Sequence, residues 1–245
     1  MKNLLIHISP SKDFCDDEHK MSAKIQIDNS IELGWKREDI ILVTNFPYEY
    51  NGVKSVIIGD ESYCPITVSR LWTATKIYAI DHLFKKGLIE RDLYWYHDFD
   101  CFQLAPFTDV GIDMASADMG LTNYGRMPRL CSASMFFTEN AGDIFKQIKE
   151  KVIESRVSEE HGIMRLINSD IQTLGKRIKK LNITYAFHRF NLCHCYHRAV
   201  KPIKAAHFHL TPDKYDFYVL GKNKLNMVLI PEGLIKIFNQ HGFRR

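Results

Sequence analysis

Four short apolar runs punctuate the first hundred residues: Leu4-Leu5-Ile6-His7-Ile8, Ile40-Ile41-Leu42-Val43, Ser55-Val56-Ile57-Ile58 and Leu93-Tyr94-Trp95-Tyr96. Each is short and rich in apolar or aromatic side chains at successive positions, the pattern of a strand buried on both faces. Two stretches between them have helical spacing instead. One runs from about Glu18 to Leu33 and stops at Gly34; the other runs from about Ser69 to Lys86, places Leu71, Ala74, Ile77, Tyr78 and Phe84 on one stripe, and ends at Gly87. Strands alternating with helices imply crossover connections. The first half is therefore expected to be Rossmann-like, a mostly parallel sheet with helices on both faces and ligands beyond the carboxyl ends of the strands.

After residue 110 the pattern turns mixed. Ile112 to Ser116, Ser134 to Phe137, Ile183 to Phe187 and Ala205 to Leu210 read as strands, and Ala141 to Ser155 and Asp170 to Lys180 as helices. No repeat or Gly/Ser linker divides the halves, so a single α/β domain is expected over 1–245. No run reaches the roughly 18 to 20 apolar residues of a membrane span, and the first residues turn polar too soon for a secretory signal. The six cysteines, mostly far apart, suit reduced thiols. These features lead to an expected cytoplasmic location, with peripheral membrane association left open. From Ile171 to Pro212 there are eight Lys or Arg and no Asp or Glu. Such a stretch is either a solvated face or a surface for phosphate, acidic lipid or nucleic acid.

The chemistry centres on His97-Asp98-Phe99-Asp100, directly after the fourth apolar run. Alternation along a strand points Asp98 and Asp100 to the same side. Two carboxylates at a strand's carboxyl end suit Mg²⁺ or Mn²⁺, which complete their shells with substrate phosphates. The plainer reading makes them caps of a turn or helix. A second cluster, Cys193-His194-Cys195-Tyr196-His197, holds several zinc-type donors, but ligands so close in sequence cannot readily surround one ion.

Taken in order, several segments resemble the GT-A class of nucleotide-sugar glycosyltransferases, and within it the family of glycogenin-like and lipopolysaccharide galactosyltransferase-like enzymes. They are Arg70 and Thr75-Lys76-Ile77 ahead of the Asp pair, Cys131-Ser132-Ala133-Ser134-Met135 for that family's Asn-Ser-Gly-Val-Met strand, Glu159-Glu160-His161 for its Asp-Gln-Asp, and Ala206-His207-Phe208-His209 with Lys214 for its late His-x-x-Gly-x-x-Lys-Pro-Trp. The chain departs from each motif at one or more positions. The resemblance implies a GT-A-like fold with a nucleotide-binding half over 1–110 and an acceptor-side half over 111–245. It implies Asp98, Asp100 and His207 as metal ligands, with His209 the alternate for the third, and Arg70, Lys76, Asp98, Ser132 and Lys214 as donor-binding residues.

Glycosyl transfer also needs a base for the acceptor hydroxyl, or a group near the anomeric carbon. Glu159, Glu160 and Asp118 are the candidates, although the two glutamates also suit the first turn of a helix after Ser158. The function expected is metal-dependent transfer of a sugar from a nucleotide-diphosphate donor, UDP- or GDP-linked, to a glycan, lipid or protein hydroxyl, without nucleic acid as a partner. The rivals are a basic module for nucleic acid or anionic membrane, and a metal-dependent phosphotransferase or nucleotide hydrolase. The absence of a Gly-x-x-x-x-Gly-Lys-Ser/Thr loop lowers the last.

Overall fold

The apolar runs become the middle of one sheet. A computed structural model describes residues 1–60, 72–123, 130–170, 172–188, 196–208 and 230–243. In chain order these form β1 (Lys2–His7), α1 (Asp17–Glu32), β2 (Ile40–Thr44), β3 (Glu49–Tyr50), β4 (Val53–Lys54), β5 (Val56–Ile57), α2 (Thr75–Lys85), β6 (Leu93–His97), β7 (Cys101–Gln103) and α3 (Val110–Met114). They continue with β8 (Met119–Asn123), β9 (Leu130–Thr138), α4 (Gly142–Ser155), α5 (Glu159–Ser169), α6 (Leu174–Arg177), β10 (Ile178–Lys180), β11 (Phe187–His188), β12 (Ala205–His207) and a last helix, Glu232–Gln240.

The main sheet has the order β10-β8-β9-β6-β1-β2-β5. β1 runs parallel to β2 and β6, and β2 to β5, while β9 pairs antiparallel with both β6 and β8. Both halves of the sequence therefore build one sheet. Alternation sends Leu4, Tyr94 and Tyr96 to the face covered by α2, α4 and α5, where Ile77, Ile80, Phe145, Ile148 and Ile163 are buried. Leu5 and Trp95 turn to the other face, toward Ile27 of α1 and toward Phe136 and Tyr185.

Helix boundaries follow local chemistry. Asp16 caps α1 by accepting the His19 N–H at 2.8 Å, and Gly34, at φ +92°, ends it in the left-handed conformation that glycine adopts without strain. The C-terminal helix is held to α1 by the His241 to Asp28 contact at 2.7 Å and by apolar packing of Leu234 and Phe238 near Ile25. Among the described residues, no helix is long and apolar enough to cross a membrane.

A second sheet, β11-β12-β7, begins only a few residues beyond β6. The two edges of β7 are satisfied differently. On one edge β12 pairs antiparallel, opposing His207 to Cys101. On the other the alternate carbonyls of Phe99, Cys101 and Gln103 face α1, where Gln26 Nε2 donates to Phe99 (2.7 Å) and Cys101 (3.1 Å) and Asn29 Nδ2 donates to Gln103 (3.0 Å). Two amides three residues apart on a helix thus take the place of a strand.

Three expected elements differ. Ile112 to Ser116 is not a strand: Val110 and Met114, four residues apart, are buried in the short helix α3, Ile112 faces solvent, and the strand starts at Met119. Asp170 to Lys180 is helical only over Leu174–Arg177, because Ile178–Lys180 pairs with β8 as an edge strand. Ile183–Tyr185 is a single 3₁₀ turn, and only Phe187–His188 of that segment is a strand.

Gln26→Leu is expected to strand the Phe99 and Cys101 carbonyls and to lower stability by about 1–3 kcal/mol. Urea unfolding of this variant beside Ile31→Ala would separate lost hydrogen bonding from lost packing, and a midpoint equal to wild type would refute the role given to Gln26.

Candidate active site

The link between the two sheets is the Asp-x-Asp segment itself. Asp98 N–H donates to the Ala133 carbonyl of β9 at 2.9 Å, and the Cys101 N–H closes a turn on the Asp98 carbonyl at 3.0 Å. Asp98 keeps the parity of Tyr94 and Tyr96 and so emerges on the α2 side. The turn then swings Asp100 toward β12. His207, buried on that strand, sets its Nε2 3.2 Å from Asp100 Oδ1, and the Phe208 N–H ties the same corner by donating to the Asp100 carbonyl at 3.2 Å.

One ligand atom each from Asp98, Asp100 and His207 lies within 4.8 Å of the others. Ligands adjacent around an ion at about 2.1 Å sit about 3 Å apart, so small side-chain rotations would close the set. Two carboxylates and an imidazole fit Mn²⁺ in particular, since nitrogen donors favour transition metals over Mg²⁺. Burial alone would disfavour a charged His207. The Asp100 carboxylate and the Cys131 side chain outweigh it and hold the imidazole pKa well above its ordinary 6.5.

Beside this trio is a second, buried group. Lys76, in the first turn of α2, places Nζ 2.8 and 2.9 Å from the two oxygens of Asp98, 3.5 Å from the Ser132 carbonyl and 3.5 Å from Glu159 Oε1. Tyr96 donates its hydroxyl to Asp98 Oδ1 at 2.5 Å, and its ring lies 5.6 Å from the ammonium. Burial lowers the Lys76 pKa, but the Asp98 and Glu159 carboxylates reverse this and raise it well above 10.5, so the side chain stays a cation. Glu159, at 4% exposure, also accepts the hydroxyls of Thr73 (2.6 Å) and Ser132 (2.9 Å). Its neighbour Glu160 is half-buried and accepts the Ser132 N–H at 3.4 Å.

The fold thus brings Lys76, Asp98, Asp100, Ser132, Glu159, Glu160 and His207 to the carboxyl end of β6. Asp118 is placed elsewhere. It lies just before β8, level with Thr138 and Leu93 at the amino end of β6, and is held by Arg177 Nε at 2.6 Å. A strand length and an ion pair separate it from Asp98, so the catalytic role expected for it has no geometric support. Arg70, Lys214, His209 and the Cys193 to Cys195 cluster fall outside the described residues.

Several site-forming residues were not singled out in the sequence. Tyr96 reads as core, and it is buried, but its two-residue offset from Asp98 also places its hydroxyl on that carboxylate. Gln26 and Asn29 are amides among apolar neighbours in α1, a signal of buried hydrogen bonding. His7 ends β1 with its ring stacked 5.9 Å from Phe99 and tilted against Phe14 at 4.8 Å.

No protein-family model matches the sequence, and no curated protein matches it. Solved structures do. LgtC, a galactosyltransferase crystallised with donor and acceptor sugar analogues, superposes with a TM-score of 0.62 over 99% of this chain and 95% of its own, at 11% identity. The fold is that of the GT-A glycosyltransferases. The glycosyltransferase GlyE of Streptococcus pneumoniae TIGR4 gives 0.58 over all of this chain and 65% of its own, at 11% identity. A glycosyltransferase involved in glycosylating the major capsid of PBCV-1 gives 0.54 over 84% of this chain and 92% of its own, at 9% identity. The Asp-x-Asp of this chain therefore lies at the end of a central strand within a fold of that type.

Burial, with His19 nearby, pushes the His7 pKa down to about 4. A depressed pKa means the contribution is whole above about 6.5 and is lost as pH falls toward 4. His7 is thus expected to withdraw about 3 kcal/mol over that window. His7→Phe, which keeps an aromatic ring, should flatten the acid side of a denaturation-midpoint profile; an unchanged slope would contradict this.

Proposed function

We propose that the chain transfers a sugar from a nucleoside-diphosphate sugar to a hydroxyl of a glycan or lipid acceptor, with Asp98, Asp100 and His207 holding Mn²⁺ or Mg²⁺. The observation that carries this reading is the convergence of those three side chains at the carboxyl end of β6, within a GT-A fold. That LgtC was crystallised with donor and acceptor sugar analogues supports a sugar nucleotide as the ligand class. A bound divalent ion would neutralise charge developing on the departing diphosphate.

The chain's own residues divide the remaining tasks. The N-terminal half, 1–110, supplies Asp98 and Asp100 for the nucleotide and ion, with Arg70 assigned to the same donor side. The half from 111 to 245 supplies His207, Ser132 and the glutamates, with Lys214 as a further diphosphate contact. Of the two glutamates, Glu160 is assigned the reacting role, as base toward the acceptor hydroxyl or as the group facing the anomeric carbon. Glu159 is buried and holds Thr73, Ser132 and Lys76, which leaves it poorly placed to take a proton from substrate. The cationic stretch from Ile171 to Pro212 favours an acidic or membrane-proximal acceptor.

A thermal-shift panel of UDP-, GDP-, TDP- and CMP-sugars, with and without Mn²⁺, tests this. One nucleotide class should stabilise wild type only with Mn²⁺, by about 2.7 kcal/mol at a hundredfold excess over Kd, and Asp100→Ala should abolish the shift. No Mn²⁺-dependent shift with any donor would overturn the reading. Given the right donor, Glu160→Gln is expected to lower kcat by about 10²–10⁴ with little change in donor KM. A wild-type kcat would remove Glu160 from the chemistry.

A further inference from the structure

Lys76 touches both Asp98 of the candidate ion site and Glu159 of α5. An ammonium has three N–H donors. Those of Lys76 have three acceptors within 3.5 Å, namely the Asp98 carboxylate, the Ser132 carbonyl and Glu159 Oε1. Its exposure is 8%, and Tyr96 covers it on one side. A lysine so engaged has no donor left for a phosphate. Asp98 in turn is claimed by two Lys76 contacts and the Tyr96 hydroxyl, so a divalent ion would have to compete for the same oxygens.

We propose that Lys76 is a positioning residue, a built-in counter-ion that occupies Asp98 in the ion-free protein and moves onto Glu159 when Asp98 ligates a divalent ion. The proposal rests on the metal reading of Asp98, Asp100 and His207. Glu159 is suited to be the second seat: it is buried, its Oε1 is already 3.5 Å from the ammonium, and Thr73 holds its other oxygen. The move is a short swing of one side-chain tip. It keeps the positive charge inside the site while relieving repulsion between two cations on one carboxylate. The glutamate of α5 thereby affects ion binding without touching the ion.

The test is Mn²⁺ affinity without nucleotide, read from the electron paramagnetic resonance of free Mn²⁺ for wild type, Lys76→Met, Glu159→Gln and the double variant. Lys76→Met should tighten Mn²⁺ binding at least about fivefold by removing the competitor, and Glu159→Gln should weaken it by a similar factor because Lys76 loses its alternative seat. In the Lys76→Met background, Glu159→Gln should then change affinity less than about twofold. Simple loss of charge would instead make Glu159→Gln equally costly in both backgrounds, and that outcome overturns the proposal, as does unchanged or weaker binding by Lys76→Met. Should Lys76→Met fail to fold, Ser132→Ala serves without altering charge. It frees the Glu159 oxygen nearest Lys76, so Mn²⁺ should bind about two- to threefold tighter, and unchanged or weaker binding refutes the idea. Absence of saturable Mn²⁺ binding by wild type itself, with Asp100→Ala no different, would instead remove the metal reading.

Discussion

The site depends on one short turn. Between Asp98 and Cys101 the chain leaves a seven-stranded sheet and enters a three-stranded one, and the Cys101 N–H on the Asp98 carbonyl fixes how it does so. Asp98 inherits the parity of β6 and meets α2, while Asp100 is delivered to β12. A regular strand would have sent both carboxylates to one side; the turn gives them different partners, Lys76 for one and His207 for the other. Parity carries charge to one face and turn geometry carries it to the other, and the grouping of Asp98, Asp100 and His207 follows from the two together.

The parts of this fold legible in the sequence were those whose burial is nearly complete. β1, β2 and β6 are continuous apolar runs because helices cover both faces, and the carboxylates stand out because they interrupt such a run. The second half hides its strands for equally physical reasons. β8 is Met-Gly-Leu-Thr-Asn, fully buried yet half polar or small, and β10 is an edge strand whose two lysines look like any solvated surface. The spacing of Leu174 and Ile178 fits a helix, but β-pairing with Met119 decides the matter.

The candidate residues were legible as chemistry but not as roles. His207, Glu159 and Glu160 carry the right functional groups, yet nothing local says that Glu159 faces inward to Lys76 while Asp118 is taken by Arg177 across the far end of the sheet. Those assignments come from strand register and from where α5 crosses β9, contacts far apart in sequence. Lys76 shows the same limit: an amphipathic reading of α2 would turn a lysine outward, and it is the carboxylates of Asp98 and Glu159 that make its burial tolerable.

The amides of Gln26 and Asn29 along β7 have a consequence for association between molecules. A three-residue strand with a row of bare carbonyls beside an acidic corner would be an open template for an extended segment of another chain. With its outer edge filled by a helix, β7 accepts β12 and nothing on the other side. A pairing partner approaching from α1 meets side chains already bonded, so the strand that frames the carboxylates is closed to intermolecular sheet growth.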